Sequence, residues 1–142
     1  PKMGEWINST LEADLLEPGA FDATAPYRDG TRLLEAEGGT YLRPTIVHCN
    51  SMDHALANRE FLCPYASVVE VPQREMLRAI GPTLVVTAIT KDEIFKRQLL
   101  GASNVERLNL GPISTMKISW DQPHEGNMFE FLYKRRSIGI AA

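Results

Sequence analysis

The strongest constraint on this chain is the regular alternation of short β-branched runs with short helical runs between residues 45 and 110. Thr45-Ile-Val-His-Cys49 reads as a strand, and Asp53 to Asn58 as a short helix. Ala66-Ser-Val-Val-Glu-Val71 is again a strand, followed by a helix from Gln73 to Ile80 that Gly81-Pro82 closes. Leu84-Val-Val-Thr-Ala-Ile-Thr90 is nearly continuous in apolar residues, the pattern of a strand buried on both faces. Asp92 to Leu100 reads as a helix with Thr90 or Asp92 as N-cap and Gly101 as its stop. Val105 to Leu110 is a further strand, and Glu125 to Arg136 a last helix. Strands alternating with helices predict an α/β domain, a mostly parallel sheet flanked by helices.

Ahead of this region, Met3, Trp6, Ile7, Leu11, Leu15 and Leu16 are spaced by the threes and fours of one helical face, which Pro18-Gly19 ends. Phe21 to Gly38 mixes Asp, Thr, Pro and Gly and reads as turns and short strands. No internal repeat or low-complexity linker interrupts the chain, so residues 1–142 are expected to form a single domain. A charged share of 23% and a net charge of −3 predict a soluble globular protein with no electrostatic footprint for nucleic acid. No apolar run approaches the roughly eighteen residues of a membrane span, and Pro1-Lys2-Met3 lacks the layout of a secretory signal. Cys49 and Cys63 lack C-x-x-C spacing and predict free thiols in a reducing, cytoplasmic setting.

Two stretches carry chemistry. Gly39-Thr-Tyr-Leu-Arg-Pro-Thr-Ile46 is followed by Asn58-Arg-Glu-Phe-Leu-Cys-Pro-Tyr65, with Glu60 sixteen positions after Pro44. The pair resembles the Gly-x-x-x-x-Pro-Thr strand start and the Glu-x-Phe-Gly-Pro-like turn of the aldehyde dehydrogenase catalytic domain. Ala79 to Asp92 resembles that family's glycine turn and apolar strand. Ser103 to Gly111 resembles its Gly-x-Val-x-Ile-Asn strand, with Asn109 at the asparagine. The similarity spans about residues 39 to 111. The sequence departs from the pattern at Leu62, Cys63 and Tyr65, and Trp120 to Asn127 stands where the family carries Pro-Phe-Gly-Gly.

The resemblance implies a site. Glu60, with Leu62 beside it, would bind the cofactor, the carboxylate accepting hydrogen bonds from both hydroxyls of the nicotinamide ribose. Pro112, Ile113, Ser114, Thr115 and Trp120 would line the aldehyde passage. The family's nucleophilic cysteine and general-base glutamate precede this region, so the resemblance implies no catalytic residue in the chain itself. It implies a C-terminal portion of a parent that uses NAD or NADP, with no cofactor bound by the isolated chain. The partners it implies are the remainder of the parent chain with its cofactor domain, an aldehyde, and further copies in a homo-oligomer, with no nucleic acid and no membrane. The alternative is a stand-alone interaction or oligomerisation domain of the same fold.

Other residues have simpler readings. Cys49 and Cys63 are read as buried and inert rather than nucleophilic. His48, Cys49, His54 and Cys63 lack paired metal-ligand spacing, so no metal is expected. His124-Glu125 could offer an acid–base pair, but its simpler reading is the exposed start of the last helix, capped by Asp121 or a nearby residue. Lys134-Arg135-Arg136 suits a helix C-terminus. Ser137 to Ile140 reads as an edge strand, which the resemblance would place at a subunit contact.

Overall fold

The computed structural model describes residues 2–114, 116–117 and 132. The chain divides into two compact units, Pro1–Pro72 and Gln73–Ala142. In the first, helix α1 (Lys2–Leu15) precedes strand β1 (Ala20–Asp22), a 3₁₀ turn at Ala25–Tyr27, and strands β2 (Leu33–Ala36), β3 (Gly39–Leu42), β4 (Thr45–Cys49) and β5 (Tyr65–Val69). In the second, helix α2 (Gln73–Ile80) is followed by β6 (Thr83–Ala88), α3 (Glu93–Leu100) and β7 (Val105–Leu110). The fold is a mixed α/β one, with parallel pairs β4–β5 and β6–β7 and antiparallel pairs β1–β4 and β2–β3.

The first unit is built on the two-residue alternation of β4. Thr45, Val47 and Cys49 are buried, whereas Ile46 is 42% exposed. The buried side meets Ile7 and Leu11 of α1, together with Leu56, Ala57 and Phe61 from the segment joining β4 to β5. Gly4 extends the stripe of α1, since a Cβ there would lie 3.4 Å from Leu33 Cδ1 on β2. The inward face of α1 therefore runs through half-buried Gly4 to buried Ile7 and Leu11, while Met3, Trp6 and Leu16, expected on that face, are exposed. The opposite side of the β1–β4–β5 sheet carries a row of paired residues, Phe21, His48 and Val68. Phe21 and His48 stack with ring centroids 5.1 Å apart.

A buried ion-pair network closes the first unit below its sheet. Arg28 and Arg32 both donate to Asp22 Oδ2, Arg28 also donates to Thr45 Oγ1 at 3.0 Å, and Arg32 to Asn8 Oδ1 at 3.0 Å. Thr24 adds its N–H at 3.0 Å and its hydroxyl at 2.6 Å to Asp22 Oδ1. Burial pushes the Asp22 carboxyl up, but the hydrogen bonds from Thr24, Arg32 and Arg28 outweigh it and hold the pKa at about 2. These partners come from separate elements and turns rather than from one amphipathic element, so hydrophobic patterning gives no sign of them.

In the second unit, Asp92 caps α3 by accepting from the N–H groups of Ile94 and Phe95, and Phe95 and Leu99 form its buried face. Gly81 takes φ +65° after α2, a left-handed turn that glycine adopts without strain. The Asn104 amide reaches back to Gly81 O at 2.6 Å and Leu77 O at 3.3 Å, satisfying carbonyls at the end of α2.

Two expectations are corrected. Residues 53–58 form turns, not a helix. Ser51 Oγ accepts the Asp53 N–H and His54 Nδ1 accepts the Leu56 N–H, while the His54 and Ala57 N–H groups donate to carbonyls three residues back, the bonding of successive turns. Strand β6 ends at Ala88 and is not buried on both faces among the described residues, since Leu84 is half exposed. Thr90 leaves the strand to accept the Asp92 N–H ahead of α3.

Candidate functional site

The Glu60 turn is held by side chains. Phe61 is buried and meets Tyr65 edge-to-face, with centroids 5.0 Å apart. The Tyr65 hydroxyl donates to Leu56 O at 2.7 Å and Ser67 Oγ donates to Ala57 O at 2.8 Å, tying β5 to the preceding segment. The Thr45 N–H donates to Pro64 O at 2.9 Å, which fixes the far end of the turn to β4. Arg59 lies 5.4 Å over the Phe61 ring.

On this base Glu60 and Leu62 flank the buried Phe61 and are both exposed, Leu62 to 88%. No described residue gives the Glu60 carboxylate a hydrogen bond or ion pair, which leaves both oxygens open to a diol. Of the three departures at the turn, Leu62 faces out and two face inward. Cys63 and Tyr65 pack against the core cluster rather than beside Glu60. Burial raises the Tyr65 phenol to about 12. Burial also pushes the Cys49 and Cys63 thiols up, with Arg32 partly countering it at Cys63, so neither is primed as a thiolate.

The loop after β7 lies in the second unit. Gly111 turns the chain at φ +98°, and its N–H donates to Ala88 O at 2.8 Å. Pro112, Ile113 and Ser114 follow with exposed side chains. Their backbone is fastened to the sheet: Thr87 Oγ1 donates to Ile113 O at 3.1 Å, and the Arg107 guanidinium donates to Lys117 O. Asn109, buried, donates to Thr87 Oγ1 at 3.1 Å. Thr87 and Arg107 were not legible as site residues, because a threonine and an arginine inside strands carry no spacing signal. Thr115, Trp120, His124, Glu125, the Lys134–Arg136 cluster and the Ser137–Ile140 segment lie outside the described residues.

Among the described residues no group of three His, Cys, Asp or Glu side chains is placed to hold a metal ion, and no helix is long and apolar enough to cross a membrane.

The class these features define is a mixed α/β fold with parallel strand pairs and a glutamate-bearing turn between two of them. The fold is aldehyde dehydrogenase-like: the chain is similar to the crystal structure of lactaldehyde dehydrogenase from Escherichia coli, with a TM-score of 0.64 and 14% identity. The match covers 88% of this chain and 25% of that one, so the chain spans about a quarter of its neighbour's length. At this identity the likeness is one of fold. No protein-family model and no curated protein sequence matches the chain.

Proposed function

We propose that this chain is the C-terminal portion of an NAD(P)-dependent aldehyde dehydrogenase-like oxidoreductase, inactive by itself. The observation that carries the reading is the Glu60 turn, which keeps the sixteen-residue interval from Pro44 and presents an unpartnered carboxylate on a pinned backbone. The parent would convert an aldehyde and water to a carboxylic acid, passing hydride to NAD(P)⁺ and releasing a proton. Its nucleophilic cysteine, base and cofactor domain would come from the remainder of the parent chain.

In this reading Glu60 would accept hydrogen bonds from the two nicotinamide ribose hydroxyls, with Leu62 beside it at the cofactor site. Hydride transfer needs donor and acceptor carbons held in line, and a clamp on the ribose supplies that alignment. Pro112, Ile113 and Ser114, with Thr115 and Trp120, line the aldehyde passage. Both units belong to one catalytic and oligomerisation region. The free thiols support a cytoplasmic setting.

The test begins with the reading frame upstream of Pro1, expected to encode a Rossmann-type cofactor domain and a cysteine motif. The product of that frame is expected to oxidise aldehydes with NAD(P)⁺, and Glu60→Gln to lower kcat by about ten- to a hundredfold. The 142-residue chain is expected to show no such activity. Turnover by the isolated chain, or full activity in Glu60→Gln, sinks the assignment.

One observation favours a second reading, a non-catalytic assembly module of the same fold. Phe21, Ile46 and Val68 are 56%, 42% and 48% exposed on one face of the first unit's sheet. A start codon immediately before Pro1 would support that module over the enzyme portion.

A further inference from the structure

Two rungs of the β6–β7 ladder, with the Val86–Leu108 rung between them, reach for the same loop. Thr87 pairs with Asn109 and Val85 with Arg107, so Asn109 and Arg107, two residues apart, share a face of the sheet. Asn109 Nδ2 donates to Thr87 Oγ1 and Thr87 Oγ1 donates to Ile113 O, each at 3.1 Å. A hydroxyl has one proton. With its oxygen accepting from Asn109, that proton is committed to the Ile113 carbonyl, and the two bonds polarise one another in series. Two rungs away, Arg107 donates to the carbonyl of Lys117. The loop is thus fastened at residues 113 and 117 through its backbone. Its side chains at 112 to 114 are left exposed.

We infer that Thr87, oriented by Asn109, is a positioning residue that fixes the 111–117 loop and so sets where Pro112, Ile113 and Ser114 meet an aldehyde. The inference rests on the proposed role of that loop as the aldehyde passage. It adds that the wall is shaped within the second unit, by a strand residue that touches no substrate. The hydroxyl is the essential part: valine keeps the shape and strand preference of threonine but neither donates nor accepts, whereas serine keeps the hydroxyl.

The test is residue-resolved amide hydrogen exchange on the 142-residue chain with Thr87→Val and Thr87→Ser. Thr87→Val is expected to speed exchange of the Ile113, Met116 and Lys117 amides roughly tenfold while leaving the β6–β7 ladder amides at their original rates. Thr87→Ser is expected to restore the slow rates. Unchanged loop exchange in Thr87→Val, an equal rise in Thr87→Ser, or a rise spread over the whole ladder overturns the inference. In the product of the complete reading frame, Thr87→Val is expected to raise the aldehyde KM several-fold with the NAD(P)⁺ KM unchanged, and Thr87→Ser to recover it. Exchange reads the loop without turnover. A fastened loop in a protein without aldehyde oxidation therefore refutes the proposed function, and a loop indifferent to Thr87 refutes this inference.

Discussion

Asp22 concentrates more of the first unit's electrostatics than any pattern in the sequence suggests. Two guanidinium groups and Thr24 converge on it, and its pKa of about 2 lies below the ordinary 3.8. Because the folded-state value is depressed, the stabilisation is complete above about pH 4 and is lost as pH falls through about 2. After allowance for solvent screening it amounts to about 1 kcal/mol. Urea unfolding followed between pH 5 and pH 2 is expected to show that loss, and Asp22→Asn to remove this part of the pH dependence. At neutral pH the same substitution leaves two buried cations without their anion and is expected to cost about 3 kcal/mol. A substituted protein as stable as the original at pH 7 contradicts this account. No local pattern marks this convergence, since Asp22, Arg28 and Arg32 meet only after the chain has turned through the 3₁₀ segment.

At the scale of elements, the sequence was most legible where local pattern and tertiary environment agree. Strand β4, helix α2 and strand β7 have the expected bounds, and Asp92 caps α3 as its position suggests. Legibility failed at 53–58, where Ser51 and His54 side chains compete for backbone amides, and at the edges of β5 and β6. The Glu60 turn was legible in its spacing, but its support was not. Tyr65, read as a departure from the family pattern, proves to be an inward-facing strut. The division of labour in the turn has a measurable signature. Phe61→Ala is expected to cost about 3 kcal/mol, because the ring is buried against Tyr65. Leu62→Ala is expected to change stability by less than about 0.5 kcal/mol. Chemical denaturation of the two variants separates them, and similar losses would mean that Leu62 is part of the core.

At the scale of the whole molecule, the α/β class and its parallel strand pairs were legible from the alternation of strands and helices. The open side of the first unit's sheet was not, because a β-branched run reads the same whether its second face is covered or bare. Phe21, Ile46 and Val68 remain wetted there, beside a His48 stacked on Phe21. In colloidal terms that face makes water a poor solvent for the isolated chain. Static light scattering of the 142-residue protein is expected to give a negative second virial coefficient at neutral pH. The double substitution Phe21→Ser and Val68→Thr is expected to bring the coefficient towards positive values, and no change would place the attraction elsewhere on the surface.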